Sequence, residues 1–302
     1  MTRAVVFAYH NVGVRCLRTL LAHGVEVPLV FTHEDNPAEN IWFESVRAVA
    51  AEHDIRTVTP NEPNRPRWLA EIEDLRLDFI FSFYYRHMLN PALLAAASRG
   101  AYNMHGSLLP KYRGRVPINW AVLHGERETG ATLHRMVAKP DAGEIVAQQA
   151  VPILPDDTAH EVFAKVTVAA EMALDHVLPQ LIAGTAPHVM PDLAAGSYFG
   201  GRKPEDGRID WSKSAAEIHN LVRAVAPPYP GAFSDLPDGR RLRVLRTHLI
   251  DAGSTTASPH LQAVGNDLIA NCTRGRLRVL DAVLDGKPLT AADLDRNPLP
   301  LV

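Results

Sequence analysis

The feature that most constrains this chain is an alternation. Short apolar runs at residues 4–8, 25–31, 56–58, 78–83 and 102–104 are separated by segments at 14–23, 43–53, 68–75 and 91–97 that read as helices. A buried strand shows as a short continuous apolar run, and a helix as a repeat near 3.6 residues. Strands that alternate with helices are joined by crossovers, which makes the sheet parallel and covers both of its faces. The strings AVVFA at 4–8 and DFIFSF at 78–83 are apolar almost throughout, as strands buried on both sides are. The expectation is an α/β fold, with a Rossmann-like parallel sheet in an N-terminal domain.

The pattern then changes. Residues 129–137 and 144–151 are strand-like and are joined by KPDAG at 139–143, which suggests a hairpin. Thr158 and Glu161 form a capping-box pattern that opens a long helix, with Val162, Val166, Ala169, Ala173 and Val177 at helical spacing. Residues 184–207 are rich in Gly and Pro and mark a boundary. A helix at 215–226 follows, then strands near 241–245, 261–264, 267–270 and 277–282. Short β segments with close turns suggest a small C-terminal β-barrel-like, OB-type domain. The expected division is a first domain over 1–189, a linker over 190–203 and a β-rich domain over 204–302.

Charge and cysteine content narrow the function. The 302 residues carry 31 Lys and Arg against 34 Asp and Glu, a net charge of −3, which is poor for a partner held by phosphate neutralisation. Cys16 and Cys272 are the only two cysteines, too far apart for a disulfide framework or a structural zinc site. The start of the chain lacks a signal-peptide pattern, and no run approaches the roughly eighteen apolar residues of a membrane span. The expectation is a soluble, cytoplasmic protein without membrane insertion. The first strand is followed by His10, Asn11, Val12 and a single glycine, Gly13, and no GxxxxGK[ST] occurs. A classical NAD or ATP phosphate cradle is therefore not expected. Fourteen histidines show no ligand spacing, and no metal is expected.

One stretch carries chemistry: 103-NMHGSLLPKYRGRVP-117. Asn103 and His105 are two apart, so on a strand they share a side. At the carboxyl end of a parallel strand that side opens on the crevice where such sheets place ligands. An amide there can donate to a developing oxyanion, and an imidazole can move a proton near neutral pH. Asp141, in the turn of the hairpin, is a candidate to orient the imidazole. The same residues also fit a turn cap, a satisfied interior histidine and an ordinary turn aspartate; spacing alone does not choose.

With FSFYYRHMLN before it and ETGATLHRMVAKPDAGEIVAQ after it, this stretch resembles the folate-dependent formyltransferase family. That family has an Asn-x-His…Asp set around an HxSLLP core, carried here by Asn103, His105 and Asp141. AYHNVG, FTHEDNP and LVRAVAPPYPGAFS extend the resemblance to about residue 235. They make it most similar to the formyltransferases that act on UDP-4-amino-4-deoxy-L-arabinose for lipid A modification. The resemblance implies N10-formyltetrahydrofolate as co-substrate, bound by His87, Met88 and Leu89 through backbone groups, by Arg115, and by Val137, Ala138, Lys139, Pro140 and Asp141. It implies small-molecule partners, a nucleotide amino sugar and a folate, and no nucleic acid. Lys111 and Arg113 lie where anionic groups of a substrate could pass, although a solvated basic loop fits them equally. Arg202 is a further candidate for the nucleotide phosphates. Two other readings remain: methionyl-tRNA formyltransferase, and a binding module without catalysis. Residues 203–302 hold 13 Lys and Arg against 12 Asp and Glu, a net of +1, which is weak support for tRNA.

Overall fold

The computed structural model of the protein describes residues 1–37, 39–294 and 297–302. Contacts divide the chain into two compact units. The first is Met1–Pro117, Thr129–Val151 and Ala164–Gly200; the second is Ile118–Glu128, Pro152–Phe163 and Gly201–Val302.

The first unit is built on β1 (Arg3–Ala8), α1 (His10–Ala22), β2 (Glu26–Phe31), α2 (Val46–Glu52), β3 (Arg56–Val58), α3 (Pro66–Asp74), β4 (Phe79–Phe83), α4 (Pro91–Ala95) and β5 (Ala101–His105). The short β6 (Arg113–Gly114), α5 (Pro117–Leu123), β7 (Glu128–Arg135), β8 (Ile145–Pro152), α6 (Ala159–Ala183) and β9 (Tyr198–Phe199) follow, some of these elements running into the second unit. The main sheet has the order β3-β2-β1-β4-β5-β7-β8, and the first five strands are parallel, as the alternation predicts. β7 runs antiparallel to β5, so the sheet is mixed at this edge. The hairpin-like segment thus extends the parallel sheet.

Burial explains the continuous apolar runs. All of Ala4, Val5, Val6, Phe7 and Ala8 are fully buried. Phe7 stacks on Phe31 at 4.3 Å, and both belong to a cluster with Ile72, Trp68 and Leu93. Burying such a side chain stabilises the fold by about 1.5–3 kcal/mol, and Phe7→Ala would cost about 3–5 kcal/mol. Helix starts follow local signals: Asn90 accepts from the Leu93 N–H at 2.9 Å, and α3 and α4 each open on a proline. α1 begins at His10, four residues before the sequence suggests, so only Tyr9 separates it from β1. That tight turn holds His10 at φ +67° on the rim of the sheet.

α6 has the predicted capping box, with the Thr158 N–H donating to Glu161 at 2.7 Å and the Glu161 N–H to Thr158 Oγ1 at 3.2 Å. It also corrects the reading that nothing reaches membrane-span character. It is 25 residues long and holds an apolar window of mean hydropathy 1.2, which meets that standard, but half of that window is buried inside the protein. Val162, Val166, Ala169, Ala173 and Val177 are all core residues, so we read it as a core helix.

In the second unit, α7 (Ala215–Val225) packs Ile218, Val222 and Val225 into a cluster with Leu242, Val244 and Leu277. The strands are β10 (Ala232–Asp235), β11 (Arg241–Thr255), β12 (His260–Val264), β13 (Asp267–Asn271), β14 (Arg274–Leu284), β15 (Lys287–Pro288) and β16 (Leu299–Pro300). They form a sheet of order β10-β11-β14-β13-β12-β16, with β15 on β14, and every strand pair in it is antiparallel. The expected barrel-like domain is a curled sheet. Ser234 on one edge donates to the Val302 carbonyl beside the other edge at 3.2 Å. β11 is far longer than the sequence suggests because register shifts interrupt it near Val244, Leu249 and Asp251. Bulges of this kind bend a strand and erase its two-residue alternation.

Candidate active site

β1 and β4 are neighbours although β2 and β3 lie to one side of β1 and β5 to the other. The order reverses there, and crevices open outside the carboxyl ends of strands at such points. β5 lies next to β4, with Asn103 opposite Ser82. It ends on Asn103-Met104-His105, at the position the sequence assigned to the chemistry.

The structure brings Asn103, His105 and Asp141 together, and adds a fourth side chain. His105 is buried, and its Nε2 lies 2.8 Å from the Tyr112 carbonyl. A carbonyl only accepts, so Nε2 carries a proton and Nδ1 is the variable edge. Asp141 Oδ1 is 3.6 Å from His105 Nδ1. It is also 3.5 Å from Nε2 of His134, a buried residue on β7 directly opposite Asn103. Asn103 Nδ2 in turn lies 3.1 Å from the same Nε2. Asp141 Oδ2 accepts from the Gly114 N–H at 2.8 Å. The hydrogen bond that orients His105 therefore comes from Tyr112, whereas the sequence had suggested Asp141.

Electrostatics follow from this packing. Burial would push the Asp141 carboxyl up, but its surroundings, His105 and the Gly114 N–H among them, outweigh it and hold the group well below the usual carboxylate range. His105 moves in the direction burial dictates. Burial lowers its pKa, and the opposing pull of Asp141 and Tyr112 does not make up the difference. A buried imidazole of this kind is a base at neutral pH.

The local chain explains why these residues meet. Asp141 sits at φ +50°, in the left-handed region that aspartate tolerates better than most residues. Two residues on, a Cβ on Gly143 would lie 1.9 Å from the Arg135 carbonyl, so the Asp-x-Gly sequence is dictated by close backbone approach. Gly114 is at φ +96°, and its Cβ would lie 2.2 Å from the Phe199 carbonyl. β6 pairs with β9 there, and this contact aims the Gly114 N–H at Asp141. The loop between β5 and β6 is fixed by Thr132, whose hydroxyl donates to the Ser107 carbonyl at 2.6 Å. The hydroxyl also accepts from the Leu109 N–H at 3.1 Å and from Gln148 at 2.9 Å.

The other candidates scatter. Leu89 is buried and belongs to the core, whereas His87 and Met88 are exposed and line a cleft of about 510 Å³ with residues 61–66. Asn64 holds this segment, donating to the Met88 carbonyl and accepting from the Asn90 N–H, each at 2.8 Å. Val137, Ala138 and Lys139 are exposed beside the half-buried Pro140 and Asp141. Lys111 and Arg115 are exposed. Arg113 does not belong to a solvated loop: it is 9% exposed on β6, and its Nε has no hydrogen-bond partner among the described residues. Arg202 lies in the second unit, half-buried over the Trp120 ring at 4.9 Å, in a cavity of about 730 Å³. Among the described residues no group of three or more His, Cys, Asp or Glu is placed to hold a metal ion.

The sequence missed His134, the Tyr112 carbonyl and the Gly114 N–H. The first would have needed the β5–β7 register. The last two are backbone groups that no side-chain motif reveals.

The ends of β1, β2 and β4 form one wall. Tyr9 donates to Asp35 at 2.7 Å, the His10 ring stacks on Phe43 at 3.9 Å, and Arg86 binds Glu39 through both terminal nitrogens at 2.8–2.9 Å. His33 stacks on Tyr85 at 4.3 Å and accepts from the Arg86 N–H at 3.0 Å. Burial, with His87 and Arg86 adding to it, pushes His33 down to about 4, so it is a neutral acceptor.

A doubly wound sheet with a buried imidazole between a half-buried amide and a half-buried carboxylate, beyond its parallel strands, has the layout of a group-transfer enzyme. Residues 10–178 match the formyl transferase family and residues 202–298 match its C-terminal domain, so the chain belongs to the formyl transferase family and is a formyl-transferring enzyme. Solved structures share the fold. The N-formyltransferase from Helicobacter canadensis, in complex with folinic acid and dTDP-3-aminofucose, is 19% identical over 92% of this chain and 99% of its own, with a TM-score of 0.71. A 4-N formyltransferase from Francisella tularensis is 19% identical over 80% of this chain and 95% of its own, at 0.64. HypX from Aquifex aeolicus, in complex with tetrahydrofolic acid, is 16% identical over 97% of this chain and 46% of its own, at 0.63.

Proposed function

We propose that this enzyme moves the formyl group of N10-formyltetrahydrofolate to the 4″-amine of a nucleotide-linked amino sugar, UDP-4-amino-4-deoxy-L-arabinose. One observation carries the acceptor assignment. Three of the strings on which the likeness to amino-sugar formyltransferases rests, AYHNVG, FTHEDNP and FSFYYRH, converge on the wall at the ends of β1, β2 and β4. That wall adjoins the strand that carries Asn103 and His105. Its aromatic faces and paired charges suit a sugar and a nucleotide. The Helicobacter protein, by its description in complex with dTDP-3-aminofucose, and the Francisella protein, by its description a 4-N formyltransferase, support the class. Folate derivatives in the Helicobacter and HypX structures support the formyl donor. In this reading the backbone of residues 87–89 and the 137–141 turn hold the folate. Arg113, buried with an orphan Nε, takes an anionic group of the acceptor, since a buried cation calls for a partner.

The steps balance without a further reactant. The neutral amine attacks the formyl carbon, and the carbonyl electron pair moves to oxygen. An Asn103 N–H stabilises that oxyanion, a contribution of about 10²–10³ in rate. The amine proton passes to His105 Nδ1, and Asp141 stabilises the imidazolium. The proton then goes to N10 as its bond to carbon breaks, giving a formamide and tetrahydrofolate.

The tRNA reading is weaker on a specific observation. Arginines on the curled sheet and beside it are neutralised locally: Arg276 by Asp251 at 2.6 Å, Arg241 and Arg208 by Asp235 at 2.7 and 2.8 Å, and Arg240 by Asp238 at 2.7 Å. A polyanion needs cations free to replace counterions. The test is formyl transfer by purified enzyme to a panel of UDP- and dTDP-linked amino sugars and to initiator methionyl-tRNA. Turnover with the UDP-linked 4-amino sugar is expected. Efficient formylation of the tRNA, weakening steeply with salt, would overturn the acceptor while keeping the chemistry.

A further inference from the structure

His134 is the one side chain in this cluster to which the mechanism gives no role. It is 2% exposed and sits at the register position facing Asn103. Its Nδ1 lies 3.0 Å from the Arg135 carbonyl, which can only accept, so Nδ1 carries the proton of the neutral ring. Nε2 is then a lone pair. It lies 3.1 Å from Asn103 Nδ2, a distance at which the amide must present its NH₂ end. The reverse orientation would set the Asn103 oxygen against that lone pair. We infer that His134 is a positioning residue for formyl transfer, whose Nε2 lone pair fixes the Asn103 amide so that one N–H is held and the other is left for the oxyanion.

The valence of the amide allows this arrangement. An amide NH₂ carries two protons, so anchoring one costs the oxyanion nothing and removes the freedom to flip. Asp141 Oδ1, 3.5 Å from the same Nε2, is too far for a good hydrogen bond, and it also faces His105 Nδ1. His134 therefore acts through Asn103. It exchanges no proton with substrate and needs no contact with it. The inference rests on the proposed role of Asn103 but not on which acceptor is used.

Two measurements test it. In the wild-type protein, ¹⁵N NMR of labelled histidine should show the Nδ1–H tautomer of His134; a ring protonated at Nε2 would overturn the inference. This readout needs no turnover, so it stands even if the acceptor assignment fails. In the formylation assay, His134→Phe should lower kcat by up to about 10²-fold, the scale of a lost oxyanion donor, with KM for both substrates within about threefold. His134→Gln, whose side-chain oxygen can accept from Asn103, should recover at least part of that loss. Added to Asn103→Ala, His134→Phe should cost almost nothing more, because both act on one interaction. Equal losses for the Gln and Phe variants, or additive losses with Asn103→Ala, would show a structural or independent role instead.

Discussion

Replacing Asp141 with Asn separates charge from shape. The amide is nearly isosteric, and its oxygen can still accept from the Gly114 N–H that holds Asp141 at 2.8 Å. What goes is the negative charge 3.6 Å from His105 Nδ1. At that distance, with an effective dielectric of about 20, a full imidazolium is stabilised by about 4–5 kcal/mol. A transition state with the proton half transferred keeps about 2 kcal/mol of this, or about thirtyfold in rate. The expected loss in kcat for Asp141→Asn is therefore between about thirtyfold and about 10³-fold, with KM for the acceptor little changed. Because Asp141 pulls the His105 pKa upward against burial, the acid limb of the rate profile should move to lower pH in the variant. The assay is single-turnover formylation across pH 5–9, with circular dichroism and a thermal midpoint to confirm the fold. A loss below threefold, or an acid limb that moves upward, would refute the reasoning. The carboxyl is depressed in the folded state, so its stabilisation is present above its unfolded value of about 4 and is lost as pH falls below it. The variant should lack that slope in acid denaturation.

Gly143→Ala puts a methyl 1.9 Å from the Arg135 carbonyl, so the hairpin must shift and carry Asp141 with it. Turnover should fall at least as far as in Asp141→Asn while the thermal midpoint drops, and an alanine variant of wild-type activity would show that the turn yields freely. Arg113→Met should raise the acceptor KM by at least about tenfold, the scale of a charge-assisted hydrogen bond. Its thermal midpoint should hold or rise, because an incompletely satisfied buried charge is removed. An unchanged KM would take Arg113 out of the acceptor site.

The sequence revealed most where local rules dominate. The apolar runs that became β1, β2 and β4, the Pro91 helix start and the Thr158–Glu161 box depend on residues close in the chain. Asn103 and His105 were legible because two strand residues set their own relative direction. His134 was not, since its role depends on β7 lying antiparallel to β5 in one register, and register is a property of the pair. The burial of Arg113 was not legible for a related reason. Its loop is basic in composition, but a two-residue pairing with β9 draws it inward. The length of β11 was hidden by its bulges, which remove the alternation a strand is recognised by.

The Thr132 hydroxyl has one proton and two lone pairs, and all three are used inside the protein. This has a consequence for how the molecule can change over generations. Lys111 or Lys139 can drift singly, because water takes over whatever they leave. Position 132 has no such latitude. Valine fits the same space yet strands the Ser107 carbonyl, the Leu109 N–H and one Gln148 donor contact together, at about 1–3 kcal/mol for each group left bare. Serine keeps the bonds but leaves a gap where the methyl was. Any lasting replacement must therefore arrive with partners on two other segments, so the loop beneath His105 evolves as a block.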